Sequence, residues 1–200
     1  MLKRLLLTAI VCYGAYQLLV RSDVDPGPGV VAPDAPRQVP VRSGSPFSHN
    51  GYRITPLAEL SLQARVLATE RYYLDREADL APIDLALGWG PMSDSNVLGR
   101  LDISQGNRFL YWRTDHLPVS RKVIESHAAN MHMVPANEAV EHRLERLRSG
   151  QVIELQGLLI RAEADDGWRW ASSLSRDDTG KGACELVWVE DVLVVEPAAI

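Results

Sequence analysis

The residues of this chain best suited to chemistry are a cysteine, a histidine and an aspartate that lie far apart in the sequence. Cys184 and His132 could form the thiolate–imidazole pair that nucleophilic catalysis uses, and Asp84 is a carboxylate that could join them. Spacing alone does not show that the three meet in space. A cysteine at the start of a predicted strand is also commonly a small buried apolar filler. The catalytic set is therefore a hypothesis about tertiary structure.

The histidines raise a second hypothesis, a metal site. Histidine, cysteine and carboxylate are the ligands that zinc takes, and a catalytic zinc needs three protein ligands. His127 and His132 are five residues apart, whereas a HExxH pair has them four apart on a helix. Met131 and Met133 alternate with His132, which indicates a strand whose two faces separate the histidine from the methionines. The pattern favours histidines that are hydrogen-bonded to nearby backbone, and no cofactor is expected.

A polar segment near the C-terminus offers the most ligand-like composition. The candidate ligand-binding residues there are Arg176, Asp177, Asp178 and Lys181. Carboxylates and glycine backbone could bind calcium or hold an anion. The segment lacks both the carboxylate spacing of an EF-hand and a complete GxxxxGK[ST] phosphate loop. A polar connection between two strands is the simpler interpretation, and both stay open.

Two tryptophans form the last candidate site. Trp168 and Trp170 lie two apart on a predicted strand, so both rings should project from one face. Such a face could stack a sugar or a peptidoglycan fragment. Core packing with each indole N–H bonded to backbone is the competing interpretation.

These candidates follow an apolar N-terminal segment. Residues 5–20 carry no charge, and with Leu2 and the stems of Lys3 and Arg4 the segment approaches the ~17–25 residues that a bilayer requires. The run ends Leu-Leu-Val before Arg21, which is a poor signal-peptide cleavage site. The leading basic residues place the N-terminus in the cytoplasm. We therefore predict an uncleaved transmembrane anchor over residues 1–21. The alternatives are cleavage after residue 20, a lipoprotein signal at Cys12 and a core helix of a soluble domain.

The remainder divides into a linker and one domain. Residues 22–48 contain six prolines and three glycines but few large apolar side chains, which predicts an extended, semi-stiff spacer. Residues 49–200 then form a single globular domain, which is long enough to fold without a metal or disulfide. The formal net charge of −5 and the lack of a Lys/Arg run argue against nucleic-acid binding.

The domain is predicted to be α+β and mostly β. Short helices are expected after N-caps at Ser93 or Asp94, at Ser120 and at Asn137. Strands are expected over residues 60–66, 103–113, 152–161, 168–174 and 185–195. The segment Gly150–Leu159 looks like a strand of a small OB-like barrel, which is an analogy from fold alone.

Three stretches together resemble a family of bacterial membrane-anchored proteins to which no activity is assigned. They are residues 84–94 (DLALGWGPMSD), 127–136 (HAANMHMVPA) and 172–185 (SSLSRDDTGKGACE). The resemblance implies a bacterial inner-membrane protein with one span and a periplasmic or otherwise outward-facing domain. It implies no functional residues.

The function expected from these features is a membrane-tethered, extracytoplasmic binding or assembly module that is not an enzyme. Its partners would be the membrane, other envelope proteins or cell-wall glycans. The alternative is an envelope hydrolase that uses either a metal or the Cys184–His132 pair. Convergence of the candidate side chains in one place would favour the enzyme.

Overall fold

The computed structural model describes residues 23–41, 44–175 and 184–196, and this part of the chain is mostly β, as the sequence predicts. The strands are β1 Arg37–Pro40, β2 Phe47–His49, β3 Tyr52–Arg71, β4 Ile83–Gly88, β5 Asp102–Gly106, β6 Phe109–Arg113, β7 Ala128–Pro135, β8 Val152–Glu163, β9 Arg169–Ala171 and β10 Glu185–Val195. The helices are α1 Ser95–Leu98, α2 Arg121–Ser126 and α3 Glu138–Glu145, with a 3₁₀ turn at Gly90–Ser93.

Five of the strands hydrogen-bond to one another in a closed circuit. The order is β3, β4, β7, β10, β8 and back to β3. β7 and β10 run parallel, whereas the other four pairings of the circuit are antiparallel. β1 and β2 add to β3, β9 adds to β8, and the β5–β6 hairpin forms a separate two-stranded sheet.

Successive side chains along the circuit strands point to opposite faces of the sheet, and both faces are buried. The inner face carries the main apolar core, which includes Leu62, Leu85, Met131, Leu155 and Val187, and helix α3 packs against it. The outer face carries a second cluster beneath β2 and β9. Strands buried on both faces explain why β4 is buried along its whole length instead of alternating with exposed residues.

Local signals predicted the starts of the helices, and of the two candidates Ser93 and Asp94 it is Asp94 that caps the first. The side chains of Asp94, Ser120 and Asn137 each accept a hydrogen bond from a backbone N–H of the first helical turn. Strands β3, β8 and β10 likewise cover the three strands predicted at residues 60–66, 152–161 and 185–195.

The run predicted as one strand over residues 103–113 is instead the β5–β6 hairpin, so that prediction is wrong. Its turn is formed by Asn107 and Arg108, which both have positive φ (51° and 65°). A two-residue hairpin loop favours this left-handed conformation because it matches the twist of the strands. Neither turn residue is a glycine, so the sequence carried no glycine signal for the turn.

Part of the predicted spacer is also folded. β1 pairs with β3, Ala32 is fully buried, and its carbonyl accepts a hydrogen bond of 2.7 Å from Gly90 N. Val24 N donates to Ser149 O over 2.8 Å. The segment contributes few large side chains, so it is held chiefly by backbone hydrogen bonds to neighbouring elements, a contribution that composition does not reveal.

Two predicted regions lie outside the described residues. They are the anchor, residues 1–21, and the polar segment around Arg176, Asp177, Asp178 and Lys181. Within the part of the chain that is described, no helix is long and apolar enough to cross a membrane.

Candidate functional site

Three adjacent strands bring the hypothesised catalytic residues to one face of the sheet. Asp84 on β4 is the register partner of His132 on β7, and His132 is the partner of Leu186 on β10. Cys184 precedes Leu186 by two residues, so the alternation of an extended chain places it on the same outer face. Met131 and Met133 belong to the inner core, on the opposite face of β7 from His132, as their alternation in the sequence predicts.

The centre of this face is the carboxylate of Asp84, which is fully buried. Its Oδ1 lies 2.8 Å from His132 Nδ1 and accepts from Arg108 Nη1 over 3.2 Å. Its Oδ2 accepts from Asn130 Nδ2 over 3.0 Å. A guanidinium and an amide NH₂ can only donate, so the carboxylate acts as acceptor throughout. That role favours the His132 tautomer with its proton on Nδ1, which leaves Nε2 as the basic nitrogen.

The thiol of Cys184 joins the same group of residues. Its Sγ lies 3.7 Å from the carbonyl oxygen of Arg108, and the side chain is half-buried. Asn130 Nδ2 donates to that same oxygen over 3.0 Å. One backbone carbonyl therefore links the cysteine to the amide that holds Asp84.

Arg108 is the residue that ties the inserted hairpin to the sheet. Its guanidinium forms ion pairs with Asp84 (3.2 Å) and Asp75 (2.9 Å), and its side chain is 13% exposed. The cation lies 4.1 Å from the ring centre of Tyr72 and 5.4 Å from that of Trp170. A non-glycine residue with positive φ is strained, and such strain persists where surrounding contacts fix it. These contacts supply that constraint.

Two polar atoms of the hairpin have no hydrogen-bond partner within the described residues although they are buried. They are Gln105 Oε1, an acceptor, and Arg108 Nε, a donor. Gln105 Nε2 meanwhile donates to Asn130 Oδ1 over 2.5 Å. Buried polar groups are rarely left unsatisfied, so such atoms concentrate where water or a ligand is bound.

Tyr72 borders the site and remains neutral at physiological pH. Burial raises the pKa of its phenol to about 12, and the charge of Asp84 adds to the effect. The phenol oxygen accepts a hydrogen bond of 2.9 Å from the backbone N–H of Arg108. It therefore supports the strained turn without adding charge beside the carboxylate.

The two candidate tryptophans lie side by side, as predicted. Their ring centres are 6.2 Å apart, and the Trp170 ring is 4.8 Å from that of His132. Trp168 contacts Tyr52, and the guanidinium of Arg76 lies 4.8 Å from its ring centre. Both indoles are half-buried against the outer apolar cluster, so they pack and also border the histidine.

His127 is separate from this site. Its Nδ1 lies 3.0 Å from both Val123 O and Ser126 Oγ, and its ring abuts Gly90. These are the local contacts expected of a histidine bonded to nearby backbone. Among the described residues no three His, Cys, Asp or Glu side chains form a group that could hold a metal ion.

The sequence reasoning missed the residues that complete the site: Arg108, Gln105, Tyr72 and the role of Asn130. Only Asn130 had a usable signal, because it precedes His132 by two residues and so shares its strand face. Arg108 reaches Asp84 through the hairpin, and no local pattern predicts that contact.

Comparison of the chain with protein-family models, with curated proteins and with solved structures finds no match. Function must therefore be argued from the site itself.

Proposed function

We propose that this domain is a thiol-dependent acyl-transfer enzyme, a hydrolase or transferase, that acts on the outer side of a membrane to which residues 1–21 anchor it. The observation that carries the proposal is the order of Asp84 on β4, His132 on β7 and Cys184 directly before β10, three neighbouring strands of the sheet. A base between an orienting carboxylate and a nucleophile is the arrangement of cysteine and serine acyl-transfer enzymes.

Each of the three residues has a distinct task in this proposal. Asp84 holds the imidazole through Nδ1, so that Nε2 of His132 is free to take the thiol proton. The Sγ of Cys184 then attacks the acyl carbonyl carbon, and the leaving amine or alcohol departs with the proton from His132. A thioester remains. Water, deprotonated by His132, or another acceptor cleaves the thioester, and the proton returns to the thiol.

The strand geometry allows the side chains of Cys184 and His132 to come into contact. Cys184 directly precedes β10, in which Leu186 is the register partner of His132. One strand spacing sideways and two residues along the chain correspond to about 8 Å between the Cα atoms of Cys184 and His132. A cysteine and an imidazole side chain can bridge that gap, and catalytic hydrogen bonds commonly tighten only when substrate binds. The thiol is half-buried whereas the carboxylate is fully buried, which is consistent with a site that is open on the cysteine side.

The test is hydrolysis of a simple activated ester, p-nitrophenyl acetate, by the full-length protein in detergent. We expect an acetyl-enzyme at Cys184 by mass spectrometry, and a loss of turnover of at least tenfold in Cys184→Ala and His132→Gln. Cys12→Ser and His127→Gln are the matched controls, because each removes the same chemical group elsewhere, and both should retain turnover. Equal turnover in Cys184→Ala and the unaltered protein would refute the enzyme.

A second candidate, the binding module, is favoured by a different observation. The topology of the circuit supports the OB-like barrel. In sequence order the circuit strands are β3, β4, β7, β8 and β10. The third and fifth of them pair in parallel, and helix α3 lies between the third and the fourth. OB-folds bind oligonucleotides or oligosaccharides on the second and third strands and the flanking loops. Asp84 and His132 lie on those strands, and Trp168 and Trp170 lie beside them.

Titration with soluble peptidoglycan fragments distinguishes this candidate. If the module binds glycans, tryptophan fluorescence should change saturably, and Trp168→Ala should weaken the response at least fivefold. Trp112→Ala is the control, since that ring instead contacts Arg121 outside the site. An unchanged emission spectrum would remove the support for glycan binding and leave the enzyme proposal intact.

A further inference from the structure

One face of the domain combines the start of the described chain with exposed apolar surface. Val24 is fixed there by its hydrogen bond to Ser149 O, and its backbone lies directly against Gly150. An open cavity of about 670 Å³ adjoins this point. Its apolar lining includes Val24, Pro26, Val30, Val152, Val194 and Val195.

The end of β10 adds to this surface. Leu193 and Val194 are 50% and 54% exposed, although they stand in a strand that is otherwise largely buried. β7 pairs with β10 only as far as Val189, and the ion pair of Arg143 with Asp191 joins the neighbouring helix to the strand just before these two residues. Successive side chains of a strand point to opposite sides, so Val194, which lines the cavity, and Leu193 leave both sides of the end of β10 apolar and exposed. Exposed apolar side chains at one end of the domain suggest an interaction surface.

The chain leaves the domain at this same face. Asp23 lies two residues after Arg21, the end of the predicted anchor, and two residues span at most about 7 Å. Because Val24 is pinned to the body of the domain, residues 23–31 cannot act as a long spacer. An anchor ending at Arg21 would therefore bring the bilayer surface against this face.

We propose that the face formed by Val24, Leu193 and Val194 lies on the bilayer surface, with the last two side chains among the lipid headgroups and upper acyl chains. The proposal rests on the membrane anchor of the proposed function, but not on its chemistry. It replaces a domain held off the membrane by a spacer with a domain seated on it.

The charges near this face do not favour lipids of one particular charge. Asp23 and Asp25 stand close enough to Arg65 for their charges to oppose the lowering of its pKa by burial. The adjoining cavity is also lined by Arg148 and Glu196, so charges of both signs lie near the face, and it is not a basic patch that would select anionic lipids. Zwitterionic phosphatidylcholine should suffice as the lipid.

The arrangement also limits the height of the site above the membrane. β10 runs from Glu185, next to the cysteine, to Val195 at the proposed lipid face. At about 3.3 Å per residue the strand separates the two by roughly 30 Å. The substrate would then be an acyl compound that extends from the bilayer or lies beyond it, instead of a lipid headgroup.

The test is depth-dependent fluorescence quenching in the full-length protein reconstituted in phosphatidylcholine vesicles. Cys12 and Cys184 are replaced by serine, and one environment-sensitive label is placed at Val194→Cys or, as a second site, Leu193→Cys. Leu74→Cys is the matched control, because Leu74 is fully exposed and lies far from the proposed lipid face. Val66 is hydrogen-bonded to Gly150 beside that face, and Leu74 lies eight residues further along the chain. The quencher is a nitroxide carried on the upper part of the lipid acyl chain.

We expect the quencher to reduce emission at position 194 or 193 at least twofold more than at position 74. Equal quenching at all three positions, in protein that resists extraction by alkaline carbonate, would overturn the lipid face while leaving the anchor in place. Complete extraction by carbonate would overturn the anchor and this proposal together. Neither result bears on ester hydrolysis, so the failure of this proposal and that of the enzyme are distinguishable.

Discussion

Asp84 and His132 are register partners on neighbouring strands, and their carboxylate and imidazole meet at 2.8 Å between Oδ1 and Nδ1. Both side chains are almost completely buried. A buried carboxylate is costly unless donors surround it, and here an arginine and an asparagine complete the shell. These hydrogen bonds fix the orientation of the imidazole that the proposed mechanism uses.

Removal of Arg108 should destabilise the fold strongly. Arg108→Ala leaves the carboxylate of Asp84 buried without its cationic partner, and breaking a buried ion pair costs about 3–5 kcal/mol. Urea denaturation followed by tryptophan fluorescence measures the loss. Arg143→Ala is the control, because its ion pair with Asp191 is substantially exposed and should contribute about 1 kcal/mol or less. Equal effects of the two substitutions would contradict the central role assigned to Arg108.

Tyr72 should make stability fall at alkaline pH. Its pKa is about 12 in the folded state against about 10 in an unfolded chain. Below pH 10 both states keep the proton, so the contribution is constant. Between pH 10 and 12 only the unfolded chain loses the proton, and folding becomes less favourable as pH rises. Urea midpoints from pH 9 to 11.5 should decline less steeply in Tyr72→Phe, and parallel declines would show that another group is responsible.

Substitution of Gly150 should release the start of the domain. Gly150 has φ of +89°, and a Cβ atom there would overlap the backbone of Val24. Gly150→Ala should therefore expose residues 24–31 to elastase. Gly167→Ala is the matched control, because Gly167 has the same φ but open space around it. That variant has the cost of a left-handed alanine, about 1–2 kcal/mol, without the clash. Equal elastase sensitivity in the two variants would contradict the pinning of Val24.

The sequence predicted features whose causes lie within a few residues. The N-caps at Asp94 and Ser120 depend on one side chain and the next turn, and the strand face of His132 follows from its alternation with the methionines. Each of these signals is local, so each could be found without knowledge of the tertiary structure.

The candidate site depends on contacts that are remote in sequence. Asp84 meets His132 across 48 positions, and Arg108 reaches Asp84 only because the chain turns at Asn107. Pairing of distant strands is decided by the whole core, which leaves no mark in a short window of sequence. The sequence also did not predict that residues 23–32 pack on the domain. Backbone hydrogen bonds contribute to that contact, and they do not depend on side-chain type.

The pH dependence of Cys184 alkylation tests the central claim most directly. Iodoacetamide is applied to full-length Cys12→Ser protein, with modification of Cys184 followed by mass spectrometry. If His132 activates the thiol, the rate should rise with a midpoint below the ~8.5 of an ordinary cysteine. At pH 6.5 it should exceed that of His132→Gln at least tenfold, whereas His127→Gln should match the parent. Identical profiles with and without His132, both with midpoints near 8.5, would contradict the account.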